Sequence, residues 1–401
     1  MHYSAFFTAL SLLASSVAGL PVRRTDSNAT VANAANLLVL KFANVLEQLE
    51  TEFYTQALQK FQTSDFTTAG FSDASVPIQQ FTNIMSDEST HTTVLEAAIQ
   101  SLGDSAVSGC SFDFSSVLTD VATMAPVARL VENVGVGAYL GAAHLITDPV
   151  ILTDAASIVT VEARHQTILN VLNGGTAIPA AFDLPLLPQE VLAIAGSFIS
   201  GCSVGIDALP SLKVTNTGSI NAGTCLQFSF DAQSSISDTS TLSCQMLAGG
   251  MPFSLSLPFD NCVVPEGLVG PVAIYVTNDT QPLANNARDR FTGNIVAGPT
   301  MAFLDNSTES LSSLAKSGSV SNSGSTDTAS TSISTATISP EEASSIVASA
   351  SATATGADAS ATAASDNSIP PTANTTTGNS PDGAISVNGW TLVPPSSPSS
   401  A

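Results

Sequence analysis

Two Glu-x-x-His motifs, each preceded by a Glu-x6-Tyr motif, constrain this chain more than any other feature. In order they are Glu47 with Tyr54, Glu88 with His91, Glu132 with Tyr139, and Glu162 with His165. Positions three apart share one face of a helix, so each Glu-x-x-His can present a carboxylate and an imidazole to one ion. Two such helices, each partnered by a helix with a lone inward Glu, are the arrangement that holds a dinuclear carboxylate centre in a four-helix bundle. Besides His2, the histidines are His91, His144 and His165, and two of those three lie in the motif. The His-Glu-x-x-His pattern of zinc proteases is absent.

The pattern around the motifs is helical. From about residue 33 to Phe61 there is no Pro or Gly, and Val39, Phe42, Leu46, Leu49 and Phe53 make an apolar stripe. Glu50 competes with Glu47 for the inward role. Glu47 is preferred because its spacing to Tyr54 repeats at Glu132 and Tyr139, and Glu50 reads as a solvated face. After a loop at Gly70, Pro77 opens a helix that stops at Gly103. A crossing segment with Cys110 leads to Pro126, which suits a third helix over about 127–146. Its Gly135, Gly137 and Gly141 allow close helix approach, and Glu132 is its one carboxylate. Arg129, one turn away, offers an ion pair as the alternative to metal for Glu132. His144 reads as a satisfied or solvent-facing histidine. Asp148-Pro149 caps and starts a fourth helix that ends at Asn173-Gly174-Gly175, and Pro188 opens a short fifth to about Ser200.

From about Leu209 the period changes to two. Strands are expected at 212–214, 226–230, 253–257, 272–276 and 301–304, as in a small β-sandwich with a packing or adhesion role. After Asn306 the composition falls to Ser, Thr, Ala and Gly, which cannot bury enough apolar surface to fold. The expected layout is a signal peptide over 1–18, a pro-segment and N-terminal linker over 19–32 with a dibasic processing site at Arg23-Arg24, a helical bundle over 33–203, a β-module over 209–306 and a disordered tail over 307–401.

Several features fit a secreted, soluble chain. Phe6–Leu13 is an apolar run too short to span a membrane, and Ser16-Val17-Ala18 is a small-x-small cleavage pattern. There is no hydrophobic C-terminal tail of the kind a lipid anchor signal needs. Sequons stand at Asn28, Asn278, Asn306 and Asn374. Five cysteines suggest two disulfides and one odd thiol: Cys110–Cys202, plus one pair among Cys225, Cys244 and Cys262. A formal net charge of −23 disfavours nucleic acid and anionic membrane as partners.

The run Leu46-Glu47-Gln48-Leu49-Glu50-Thr51-Glu52-Phe53-Tyr54, with the two Glu-x-x-His motifs, resembles the secreted ferritin-like-domain proteins of fungi, whose relatives include plant desiccation-related proteins. The resemblance covers roughly residues 33–200, and the β-module ending Val296-Ala297-Gly298-Pro299 is similar to the one that follows the bundle in fungal members. It implies a ferritin-like bundle with metal ligands at Glu47, Glu88, His91, Glu132, Glu162 and His165, holding two iron or manganese ions. Tyr54 and Tyr139 stand beside the outer glutamates. The family is linked to stress and development, and the resemblance supplies no defined reaction; a dinuclear site of this kind points to oxidase or peroxidase-like chemistry, with the cell wall or extracellular matrix as the expected setting. The alternative is a non-catalytic wall protein that uses the bundle as scaffold. A closed iron-storage shell is not expected, because the β-module and tail would obstruct it.

Overall fold

The computed structural model describes residues 27–231, 233–236, 238–305, 309–317, 375–379 and 386–391, with side chains described within 33–316. The expected signal peptide, the dibasic site and the sequons at Asn306 and Asn374 lie outside these residues, as does the side chain of Asn28. Helices are α1 (Ser27–Lys60), α2 (Thr63–Thr68), α3 (Ser75–Ser101), α4 (Val121–Ala142), α5 (Pro149–Leu172), α6 (Pro188–Ala195) and α7 (Ser310–Ser317). Strands are β1 (Ser111–Phe112), β2 (Ile199–Ser200), β3 (Lys213–Val214), β4 (Phe228–Ser229), β5 (Ser243–Ala248), β6 (Leu255–Pro258), β7 (Gly270–Thr277), β8 (Ile295–Leu304), β9 (Thr375–Asn379) and β10 (Ser386–Thr391). No helix among the described residues is long and apolar enough to cross a membrane.

Four long helices pack as two hairpins, α1 along α3 and α4 along α5. An aromatic cluster with Phe53, Phe66, Phe81 and Phe114 fills one end of the bundle. An aliphatic cluster with Leu40, Leu95, Ile99, Ile151 and Ile158 fills the other. The motif residues lie between the two on every helix. α4 begins earlier than expected. Asp120 caps it by accepting from the backbone N–H of Thr123 at 2.7 Å, which places Pro126 inside the helix. The helix begins at this cap although Pro126, in its second turn, donates no backbone hydrogen bond. The crossing segment returns beside α6 through β1, which pairs antiparallel with β2, and the Cys110–Cys202 disulfide lies next to this pair. A second disulfide joins Cys244 to Cys262, and Cys225 is free and exposed.

The glycines of α4 do something other than bring helices together. A Cβ at Gly141 would overlap the backbone oxygen of Leu186, and one at Gly137 would lie 2.9 Å from the Leu186 side chain. The Leu186 N–H donates to the Gly137 carbonyl at 2.8 Å. The missing side chains therefore admit an extended segment, 184–187, onto the face of α4.

The β-module consists of small antiparallel sheets: a four-stranded one in the order β6-β5-β7-β8 and the two-stranded pair β3-β4. β5 was not expected, yet it is central. It pairs with β7 from Ser243↔Thr277 to Ala248↔Val272. On β5 and β7, Cys244, Met246, Val272, Ile274 and Val276 face a core with Phe228 and Phe259. Leu247, Ala273 and Tyr275 face Phe42, Leu46, Val134 and Leu186 of the helical region. Both faces are buried, and the polar–apolar alternation Ser243-Cys244-Gln245-Met246 that marks the strand is short, giving way to Leu247 and Ala248. The buried pair Arg290–Glu190 at 2.5 Å fastens α6 to the sheet, with Tyr275 Oη 3.2 Å from the same guanidinium. Bundle and sheet share these contacts and fall in one compact unit.

The folded region also runs past Asn306. In α7 the carbonyl of Ala315 accepts from the Ser72 N–H at 3.1 Å, Ser312 Oγ donates to the Gly175 carbonyl, and Lys316 Nζ lies 3.6 Å from the centre of the Phe71 ring. Just before the helix, Glu309 accepts from the Ala177 N–H at 2.9 Å. Composition alone misplaces this boundary, because a short helix can dock by a few specific contacts without a large apolar face. Within the expected disordered tail, β9 and β10 also pair antiparallel and include Trp390. A chain ending at Asn306 is therefore expected to be less stable than one ending after Ser317. The difference is about 1–3 kcal/mol, from a cation–π contact and the lost hydrogen bonds, and comparing their urea midpoints measures it.

Candidate metal centre

The Glu-x6-Tyr spacing has a geometric meaning that emerges only in three dimensions. Tyr54 of α1 donates to Glu132 Oε1 of α4 at 2.6 Å, and Tyr139 of α4 donates to Glu47 Oε1 of α1. Residue 47 thus stands opposite 139, and 54 opposite 132, as two helices running in opposite directions require. Each tyrosine serves the outer glutamate of the other helix rather than its own. The Glu-x-x-His helices cross-pair in the same way. His165 Nδ1 lies 2.8 Å from Glu88 Oε1, and His91 Nδ1 lies 3.3 Å from Glu162 Oε1. The site has the approximate two-fold symmetry of a hairpin used twice.

All of Glu47, Glu88, His91, Glu132, Glu162 and His165 are buried, and the glutamates at 88, 132 and 162 are fully so. They fall into two groups. Glu47, Glu88, His91 and Glu162 form one, and Glu88, Glu132, Glu162 and His165 form the other; within each, one ligand atom per residue lies within 4.8 Å of every other. Glu88 and Glu162 belong to both. His91 Nδ1 is 3.2 Å from Glu47 and 3.1 Å from Glu88, and His165 Nδ1 is 3.2 Å from Glu132. On the outer side, His165 Nε2 lies 3.1 Å from Asp87 Oδ2. Sequence reasoning passed over Asp87, although its place beside the Glu88 motif put it within reach.

Glu50 is the principal correction. It is buried, not solvated. A Cβ on Gly135 would lie 2.8 Å from Glu162 Oε2 and 3.0 Å from Glu50 Oε1. The glycine thus makes room for two carboxylates at once. The only sequence signal was Glu50's position one turn after Glu47, on the same face. Arg129 does not pair with Glu132. Its Nη1 meets Asp305 at 2.7 Å, its Nε donates to Asn170 at 2.7 Å, and its guanidinium stacks on Phe303 at 4.2 Å. Glu132 is left to Tyr54 and His165. His144 is exposed, as expected.

The electrostatics follow from crowding acids away from water. Burial raises the Glu50 and Glu162 carboxyls well above the usual range, and neighbouring glutamates add to this. Glu88 is raised to about 8, by burial and by the charge of Glu132. Burial alone would depress the two imidazoles. The carboxylates around them outweigh it and push His91 to about 12 and His165 to about 11. Burial and the adjoining glutamates raise the Tyr54 and Tyr139 phenols, so both remain hydrogen-bond donors at neutral pH. Glu88 Oε1 and both oxygens of Glu162 have no well-aligned hydrogen-bond donor. Unsatisfied buried oxygens beside imidazoles are what a bound cation would resolve.

Comparison with known proteins agrees with this geometry. Residues 35–175 match the family profile described as the ferritin-like domain. This segment is a ferritin-like domain. It contains all of α3, α4 and α5 and most of α1, and so every residue of the acidic cluster. No curated protein matches the chain.

The raised values make the metal-free ferritin-like domain sensitive to alkali. Between the ordinary carboxyl value of 4.5 and about 8, folded Glu88 holds a proton that the unfolded chain has released. His91 and His165 do the same between 6.5 and about 11–12. The folded state binds more protons, so stability falls as pH rises through these ranges. In chelator, the melting temperature is expected to drop from pH 5 to pH 9; calorimetry over that range checks it, and a rise would contradict the assignment.

Proposed function

We propose that the ferritin-like domain holds two iron or manganese ions, with Glu47 and His91 serving one, Glu132 and His165 the other, and Glu88 and Glu162 shared. The observation that carries this is the pair of buried four-residue groups with two carboxylates in common. Oxygen and imidazole donors suit iron and manganese. Four carboxylates balance two divalent cations, and Glu50 is a fifth buried acid beside them.

Such ions, when bound, supply redox chemistry toward dioxygen or peroxide. The protein's own part is to hold and exclude. The phenols of Tyr54 and Tyr139 fix one oxygen of each outer glutamate and leave the other directed at an imidazole. Asp87 orients the His165 ring from outside, as second partners of metal-bound histidines do. Apolar clusters on both sides of the acid layer keep bulk water out. Two disulfides and an exposed sequon residue, Asn278, support a secreted setting.

Reconstitution of the full chain with iron or manganese, followed by removal of free metal and elemental analysis, is expected to give two ions per chain. A content near zero with both metals would contradict the reading. Gly135→Ala sharpens the test. Alanine favours a helix over glycine by about 1 kcal/mol, and the displaced groups are flexible carboxylate ends. The metal-free melt should therefore not fall, whereas metal affinity should drop at least about tenfold, roughly 1.4 kcal/mol. Parallel melts and metal titrations of the variant separate the two effects.

A further inference from the structure

The acidic layer repeats by an approximate two-fold relation that pairs Glu47 with Glu132, Tyr54 with Tyr139, Glu88 with Glu162 and His91 with His165. Most of its contacts obey the relation. Each tyrosine serves the outer glutamate of the opposite helix, and each imidazole turns Nδ1 toward the Glu-x-x-His carboxylate of the other hairpin. Two positions break it. The residue before Glu88 is Asp87, whereas the residue before Glu162 is Val161. One turn after Glu47 stands Glu50, whereas one turn after Glu132 stands Gly135.

The first break separates the two imidazoles. His165 faces Glu88 and Glu132 with Nδ1, and its Nε2–H donates to Asp87 Oδ2 at 3.1 Å. His91 meets Glu47, Glu88 and Glu162 through Nδ1, and its Nε2 has no partner among the described residues. A carboxylate on the outer nitrogen fixes the tautomer that leaves Nδ1 free for an ion, and makes the ring a stronger donor to it. Losing such a partner costs about tenfold to a hundredfold in metal affinity. The second break does not distinguish the two groups. Glu50 shares the space over Gly135 with Glu162, which is common to both groups, and itself belongs to neither. We propose that the two metal positions are unequal: the first ion is taken at Glu132 and His165, which Asp87 backs, and the second completes the pair at Glu47 and His91. This ordering deepens the dinuclear reading above and rests on it.

The test is calorimetric titration of the metal-free full chain with manganese, with paramagnetic resonance spectra taken at one and at two equivalents. The wild type should bind in two steps at least about tenfold apart. At one equivalent it should show mainly the six-line spectrum of isolated manganese, and the coupled signal should grow in with the second. Asp87→Ala, at an exposed position, should weaken the tighter step at least about tenfold and leave the weaker one unchanged. More of its signal at one equivalent should then be coupled, a change that a general loosening of the bundle would not produce. Glu132→Gln should remove the tighter step and Glu47→Gln the weaker, since each serves a single group. Melts of the metal-free variants check that each is folded. Two equal steps, a tighter step indifferent to Asp87→Ala, or one lost with Glu47→Gln instead of Glu132→Gln would overturn the proposal. Two ions per chain with any of those results would refute the order of filling alone. No bound manganese or iron would refute the dinuclear reading, and the order with it.

Discussion

Five glutamates and two histidines share one buried layer, and the rest of the helical region is built around that crowding. Carboxylates so close together, away from water, repel one another and lose solvation at once. The metal-free chain answers with protons, raising Glu50, Glu88 and Glu162 and holding both imidazoles charged. Two divalent cations would answer the same problem with fixed charge. Each group of four residues converges closely enough to hold one.

The scaffold serves this layer in detail. Antiparallel helices turn a seven-residue spacing into crossed Tyr–Glu pairs, so the two halves clamp each other. Gly135 is absent side-chain volume given over to Glu50 and Glu162. Gly137 and Gly141, two turns of the same helix, instead admit the 184–187 segment that leads to α6 and the sheet. One glycine-rich helix therefore joins the acidic layer to the β-region. Arg129, spent on Asn170, Asp305 and Phe303, ties the end of β8 to the bundle and leaves Glu132 to the site.

Much of this was legible in the sequence. The motif residues stand out because the chain has few histidines and few charged groups, and helical periodicity placed them on inward faces. Glu50 was not legible, since Glu47, Glu50 and Glu52 look alike until a facing glycine shows which has room. Pro126 misled because proline marks a first turn only when no stronger cap precedes it, and Asp120 does. β5 did carry a signal, the alternation Thr241-Leu242-Ser243-Cys244-Gln245-Met246, but it is short and gives way to Leu247 and Ala248, so it did not stand out. α7 was missed because its docking rests on Ser312, Lys316 and a few backbone groups rather than on composition. The match to the ferritin-like domain covers residues 35–175 and says nothing of the sheet that follows.

Two ions held as proposed share Glu88 and Glu162. Electron paramagnetic resonance of the manganese-loaded chain tests this sharing most directly, because two ions bridged by common carboxylates must be magnetically coupled. A coupled dimanganese signal that Glu88→Gln abolishes is expected. An isolated six-line spectrum from protein-bound manganese in the wild type, however fully loaded, would contradict it.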